Sequence, residues 1–281
     1  MSRWLPLALL ALAAGAAAAD EPSTKDSTSE QIRQLPWIAG PAEAKIGDKA
    51  TLQITKDFQF LDAPGTKKFL QLLGNPPSDN HYALVPTQGS WFAVFSFSPD
   101  GYVRDDEKID ADKLLKSMKE GEKESNEERK RLGLSLMYLD GWEVPPHYDA
   151  ATKRLEWGKR LHDERNEPVI NYTVRLLGRT GVMSATLVDD PANLSADVAA
   201  FRQALGAYEY VPGERYAEFH SGDRVAEYGL AALIAGGAAA AAVKTGAGKG
   251  LLKLIGVGAI AVFGAVASFV KKLRGRRTPS A

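Results

Sequence analysis

An almost uncharged run near the C-terminus constrains this chain more than any other feature of its sequence. Residues 251–270 contain a single charged side chain, Lys253. A helix of this length rises about 30 Å, which matches the hydrocarbon core of a bilayer. Lys253 lies within a turn of the end, where its side chain can reach the interface. The sequence therefore predicts a C-terminal transmembrane helix over residues 251–270.

Five basic residues follow this run directly and predict its orientation. They are Lys271, Lys272, Arg274, Arg276 and Arg277. Positive charges beside a membrane span are retained on the cytoplasmic side. Residues 271–281 are therefore predicted to be a cytoplasmic tail, and the chain before the span is predicted to face outward.

The N-terminus has the pattern of a secretory signal peptide. Arg3 precedes a short apolar stretch, and alanines precede Asp20, as signal-peptide cleavage requires. Residues 1–19 are therefore predicted to be a signal peptide, with an uncleaved N-terminal anchor as the alternative. The polar residues 20–34 are predicted to form a flexible leader.

A second apolar segment, residues 229–243, leaves the number of membrane spans open. It is mostly alanine and glycine and is short for a span. In a hairpin of two spans, the five basic residues would lie outside and only Lys244 and Lys249 inside, against the usual bias. We therefore predict an interfacial or re-entrant helix at the outer face, with the hairpin as the alternative.

Small residues follow one helical face of the predicted span. They are Gly258, Ala261, Ala265 and Ser268. Small side chains at such spacing let two membrane helices approach closely. This stripe predicts self-association, although a run rich in alanine and glycine also produces such a pattern by chance.

Composition excludes several classes of function. The chain has no cysteine, which excludes thiol catalysis and thiolate metal sites. Residues 20–243 carry nine more acidic than basic side chains, which argues against nucleic acid as a partner. The four histidines have no helical metal-ligand spacing, and no cofactor motif is present, so no metal or cofactor is predicted.

Residues 35–224 predict one exported α+β domain, in which helices pack on an antiparallel sheet. The last three strands form a meander, and the long helix has Asp110 as its N-cap. This helix has no apolar residue between Lys119 and Arg131, so its second half is predicted to be solvated. Strands are predicted over residues 50–55, 82–86, 91–97, 153–161, 169–178 and 181–188, and helices over residues 67–74, from residue 111, and over residues 195–205.

The alternation of side chains predicts how two strands are covered. In residues 91–97 both sides are apolar, which indicates a central strand with cover on both faces. In residues 169–178, apolar side chains alternate with Asn171, Thr173 and Arg175. This second pattern predicts a sheet with one solvent-exposed side.

The segment of residues 141–149 contains the candidate pocket. The candidate pocket residues are Trp142, His147, Tyr148, Asp149 and Trp157, around a predicted bend at Pro145 and Pro146. A histidine and an acid in a pocket can exchange protons, as in a hydrolase-like enzyme of the cell envelope. The other hypothesis is a rigid proline turn that docks an aromatic side chain on the sheet.

Several separate blocks of the chain, taken in order, resemble one protein family. The blocks are GYVRDDEKIDADKLLKSMKEG, GWEVPPHYDAATKRLEW, NYTVRLLGRTGVMS, PGERYAEF and EYGLAALIAGGAAAAA. Over about residues 35–270 the chain resembles the domain of unknown function 2167, a family of bacterial envelope proteins described as membrane-anchored. The resemblance implies a Gram-negative inner-membrane protein with its domain in the periplasm, and it assigns no catalytic residue.

These features predict a membrane-anchored envelope protein whose domain is a non-enzymatic binding or interaction module. The predicted partners are membrane lipid and either a second copy of the chain or another envelope protein. An envelope enzyme with a pocket around His147 and Asp149 is the alternative.

Overall fold

The computed structural model describes residues 24–75 and 78–236. Within these ranges the helices are α1 (Thr24–Arg33), α2 (Ala63–Leu72), α3 (Ala111–Glu120), α4 (Glu122–Arg131), α5 (Leu194–Leu205) and α6 (Leu230–Ala235). The strands are β1 (Ile38–Ala39), β2 (Ala42–Ile46), β3 (Ala50–Ile54), β4 (Phe58–Leu61), β5 (His81–Pro86), β6 (Phe92–Ser98), β7 (Met137–Asp149), β8 (Arg154–Asp163), β9 (Pro168–Leu177), β10 (Val182–Asp189) and β11 (Tyr208–Tyr210).

A large sheet dominates the described residues. Its eight strands lie in the order β1-β4-β5-β6-β10-β9-β8-β7, and every neighbouring pair is antiparallel. Strands β11, β3 and β2 form a second, smaller antiparallel sheet. The predicted antiparallel sheet with packed helices is therefore confirmed, and so is the meander of β8, β9 and β10.

The first face of the large sheet packs against the small sheet and α5. Helix α5 contributes Phe201, which is completely buried between Trp91 and Tyr172. The small sheet contributes Ile46, Leu52 and other apolar side chains to the same core. The buried residues on the first face of the large sheet are Phe58, Phe60, Leu84, Ala93, Phe95, Ile170, Tyr172, Val174, Leu176, Met183, Ala185 and Leu187.

The second face of the large sheet carries two separate apolar clusters. The first, named here the α2 cluster, joins Phe69 and Leu70 of α2 to Phe92 and Val94 of β6. The second, the α6 cluster, joins α6 to β8 and to the ends of β9 and β10, and includes Trp157. Strand β6 is thus covered on both faces and lies inside the sheet, as its sequence predicts.

The long helix predicted after Asp110 is two helices. The Asp110 carboxylate accepts a hydrogen bond from the Lys113 amide, as an N-cap does, and the first helix ends at Gly121. The prediction that the second half is solvated is wrong in part, because α4 contacts the edge strand β7 through polar groups. Arg129 is buried, and its Nε donates to the Ser135 carbonyl at 2.5 Å. Side chains of α4 therefore satisfy backbone groups at one end of the sheet.

Replacing Asn126 with alanine is expected to lower the free energy of unfolding by about 1–3 kcal/mol, because a buried peptide group loses both partners. The Asn126 amide donates to the Met137 carbonyl at 2.8 Å and accepts from the Met137 amide at 3.0 Å. Thermal unfolding of the full-length chain measures the change. Glu127→Ala is the control, since Glu127 is exposed on the same helix, and equal effects of the two variants would contradict this role.

Several predicted segments lie wholly or partly outside the described residues. The signal peptide (1–19), the membrane span (251–270) and the cytoplasmic tail (271–281) lie wholly outside. Among residues 24–75 and 78–236, no helix has the length and apolar character needed to cross a bilayer. The predicted leader (20–34) overlaps α1, in which Ile32 is buried. The beginning of the apolar segment 229–243 is α6, whose Leu230, Leu233 and Ile234 are buried in the α6 cluster.

Candidate functional site

Polar side chains cross the second face of the large sheet between the α2 and α6 clusters. Along β9, every second residue from Val169 to Leu177 lies on this face, and those between the two apolar ends are polar. Strand β10 repeats the pattern between Val182 and Val188. We name these residues the polar band: Lys159 of β8, Asn171, Thr173 and Arg175 of β9, and Ser184 and Thr186 of β10.

Strand pairing places the members of the polar band side by side. Residues directly opposite each other in an antiparallel pair have Cβ atoms about 4.5–5.5 Å apart. The hydroxyl oxygens of Thr173 and Thr186 are 3.1 Å apart and share a hydrogen bond. The direct pairs are Lys159 with Asn171, Thr173 with Thr186, and Arg175 with Ser184.

The floor of the polar band is buried, although the sequence predicts a solvent-exposed side here. Asn171 is 0% exposed, Thr173 6% and Ser184 7%. The prediction is wrong at these positions because the helices of the α2 and α6 clusters pack on the same face, on either side of the band. Lys159 and Arg175 are partly exposed as whole residues, although Arg175 Nε is buried.

Polar atoms in the floor of the band lack hydrogen-bond partners within residues 24–75 and 78–236. They are both polar side-chain atoms of Asn171, Nε of Arg175, and Nε1 of Trp157, which pairs with Thr173. A buried polar group without a partner costs about 1–3 kcal/mol. Such a concentration of unsatisfied groups is unfavourable for folding, and a bound molecule or water with matching donors and acceptors would remove the penalty.

The electrostatic environment of the band is cationic. Neither Lys159 nor Arg175 forms an ion pair within the described ranges. Burial lowers the pKa of Lys159 to about 8, and the charge of Arg175 contributes to this lowering. Burial also lowers the pKa of Arg175, against the opposite influence of Asp100 and Tyr228. Two cations therefore share a desolvated region without a neutralising ion pair from the described chain.

The predicted pocket residues fall on two sides of β7. Trp142 and Tyr148 lie on the side of the α6 cluster, where Trp157 is also buried. The Trp142 indole donates to the Ala111 carbonyl at 3.0 Å, and the Tyr148 hydroxyl donates to Asp105 at 2.5 Å. Each of these two polar groups thus has a partner within the domain.

His147 and Asp149 lie on the opposite side of β7 from Tyr148. His147 is exposed and pairs across the strands with Glu156. Asp149 accepts hydrogen bonds from the Ala151 amide and the Thr152 hydroxyl, and these bonds lower its pKa. Pro145 and Pro146 do not end the strand but lie inside the edge strand β7, where its pairing with β8 shifts register between Val144 and His147. An edge position and such an irregularity both tolerate missing N–H groups.

Comparison with known proteins places the chain in a family. A family model described as "Protein of unknown function (DUF2167)" matches residues 38–267. The chain belongs to the DUF2167 family. The matched range contains the whole polar band, so the band is part of the DUF2167 region rather than an addition to it.

Two solved structures show a distant likeness to this DUF2167 protein. The first is cyanobacterial PsbP (CyanoP) from Synechocystis sp. PCC 6803, at 9% identity and a TM-score of 0.34, over 62% of this chain and 91% of that chain. The second is the Ran-binding protein Mog1p of Saccharomyces cerevisiae, at 8% identity and a TM-score of 0.33, over 64% of this chain and 98% of that chain. No curated protein matches the DUF2167 chain. These likenesses are too distant to bear on its function.

Proposed function

We propose that this DUF2167 protein is a membrane-anchored protein of the bacterial envelope whose domain binds a small polar molecule without catalysing a reaction. The observation that carries the proposal is the polar band and the adjoining Trp157, where the Asn171 amide, the Trp157 indole and Arg175 Nε are buried without partners among the described residues. Binding sites concentrate polar groups of this kind between apolar walls.

Anchoring is proposed from the sequence. The run of residues 251–270 has the length and composition of a span, and the basic cluster after it favours a cytoplasmic C-terminus. With the predicted signal peptide, this arrangement puts the domain in the periplasm, attached to the inner membrane. Membrane lipid is then one partner. The other is either a second copy of the chain, bound through the helix face that contains Gly258 and Ala261, or another envelope protein.

Membrane fractionation tests the anchor. The full-length chain is expected in the membrane fraction, and protease added to intact spheroplasts is expected to remove the domain. Replacing Ile260 and Phe263 with arginine is expected to release the protein, because a charge at the centre of a span costs about 2.5–3.5 kcal/mol on insertion scales. Ser268→Ala is the control. A full-length chain that remains soluble without detergent would rule out the anchor.

Equilibrium dialysis of the full-length protein against a periplasmic extract tests the binding function. We expect the wild-type protein to retain one or a few small polar molecules, identified by mass spectrometry, and the Asn171→Leu variant to lose them. Asn171 is chosen because its amide is completely buried and has no partner in the described ranges. Identical retention by the two proteins, or none by either, would contradict a binding function for the band.

A further inference from the structure

We propose that the polar band binds a small organic anion, with its carboxylate or phosphate group held between Lys159 and Arg175 and a neighbouring polar group of the same molecule held by the Asn171 amide. This inference rests on the proposed binding function and adds the chemical class of the ligand.

The two cations lie on either side of Thr173 along the polar band. Lys159 is opposite Asn171, and Arg175 is four residues further along β9, or about 13 Å at the usual rise of a strand. Both side chains are long enough to reach toward each other across this distance, in accord with the contribution of Arg175 to the lowered pKa of Lys159. Between the two cations, Thr173 of β9 and Trp157 of β8 lie opposite each other. The charged ends can therefore meet an anion in the middle of the band.

The unpartnered atoms match an anionic ligand in number and kind. Arg175 Nε and Trp157 Nε1 are donors only, and Lys159 carries up to three donors. Asn171 offers one donor and one acceptor group, both without partners among residues 24–75 and 78–236. An excess of donors suits carboxylate or phosphate oxygens, and the single acceptor suits a hydroxyl or amide next to them. A neutral apolar molecule would leave all these groups unsatisfied.

The charge balance also favours an anion. Two partly buried cations repel each other, and an anion between them replaces this repulsion with attraction in a region of low dielectric. No carboxylate of the described chain does this by an ion pair. The excess negative charge of the exported region repels anions in general, so the affinity must come from the band itself.

The test follows the protonation of Lys159 in the full-length protein in mild detergent. Lysine side chains are labelled with 13C-methyl groups, and their NMR signals are titrated with pH. The Lys159 signal is assigned as the one that Lys159→Met removes. The probes are succinate, glycerol phosphate and neutral glycerol. We expect succinate or glycerol phosphate to raise the pKa of Lys159 by about 1, which equals a tenfold preference of the anion for the protonated form.

Matched variants assign the effect to the band. Arg175→Met is expected to weaken binding of the charged probe at least tenfold, and Lys159→Met is expected to do the same in a thermal-shift titration. Lys45→Met is the control, because Lys45 is exposed on β2, in the smaller sheet. A response to succinate but not to glycerol phosphate would identify a carboxylate ligand, and the reverse a phosphate ester.

Two outcomes would overturn the inference. One is that neither charged probe, at about 50 mM, moves the Lys159 titration. This concentration would occupy even a weak site with a Kd of about 1 mM. The other is that glycerol produces the same response as the charged probes. In either case, a neutral molecule retained in the dialysis experiment would leave the proposed binding function standing. If the dialysis experiment also found no retained molecule, both the anion inference and the proposed binding function would be rejected.

Discussion

Replacing Lys159 with methionine is expected to make the ligand-free protein more stable, by about 2 kcal/mol at pH 7. The folded protein lowers the pKa of Lys159 to about 8, so folding disfavours its charged form. Methionine keeps an unbranched apolar stem and removes both the desolvated charge and its repulsion with Arg175. A residue whose removal stabilises a domain is typical of a binding site, where function is retained at a cost in stability.

The gain in stability from Lys159→Met is expected to decrease as the pH rises. An unfolded lysine has a pKa of about 10.4, so between pH 8 and pH 10.4 the unfolded chain holds a proton that the folded protein has released. The wild-type stability therefore receives a rising contribution from Lys159 across this window. The difference between Lys159→Met and the wild type is largest below pH 8 and disappears above about pH 10.4.

Thermal unfolding of the full-length proteins from pH 6 to pH 10.5 measures this difference. A gain of about 2 kcal/mol raises the unfolding temperature of a domain of this size by roughly 4–8 °C. Lys45→Met, at an exposed position, is expected to change it by less than about 2 °C. A lower unfolding temperature for Lys159→Met at pH 7 would mean that the ammonium group has a stabilising partner, and would remove the charge argument for the band.

Local sequence patterns were sufficient for much of the fold. The alternation in β6 places Ala93 and Phe95 on one covered face and Phe92 and Val94 on the other, as the structure does. The N-cap at Asp110 was equally predictable, because a carboxylate that accepts from an amide three residues later is a local interaction. In these cases the residues that decide the structure are neighbours along the chain.

The burial of the polar band could not be predicted in the same way, because helices distant in sequence pack on either side of it. Asn171 and Thr173 have the alternation of a solvent-exposed strand face, yet α2 and α6, far along the chain in both directions, pack beside them. The sequence did contain one further signal: polar Ser184 and Thr186 repeat the pattern on the next strand. Only the structure shows that Lys159 joins them from β8.

Two other differences between the sequence predictions and the structure also arise from contacts outside the local sequence pattern. Pro145 and Pro146 predict a bend that interrupts the chain, but the edge strand β7 continues through them with a shift of register between Val144 and His147. Arg129 lies in a stretch with the composition of a solvated helix, and becomes buried because the Ser135 carbonyl accepts from it. In both cases a partner outside the local pattern decides the structure.

The largest loss of stability is expected for Phe201→Ala, at about 3–5 kcal/mol. Phe201 is completely buried in the core on the first face of the large sheet, with its ring centre 5.9 Å from that of Trp91 and 6.5 Å from that of Tyr172. Both rings approach it edge-on and are themselves held in the core. Because sheet residues on one side and α5 on the other cannot close the gap without losing other contacts, most of the cavity remains.

Urea or thermal unfolding of the full-length protein measures this loss, which corresponds to a fall of roughly 6–20 °C in the unfolding temperature. Phe219→Ala is the control, because Phe219 is 38% exposed and a smaller share of its ring leaves water on folding. We expect this variant to lose about 1 kcal/mol or less. Phe201→Leu retains most of the volume and is expected to fall between the two. Equal losses for Phe201→Ala and Phe219→Ala would mean that this side chain does not hold α5 in the core of the domain.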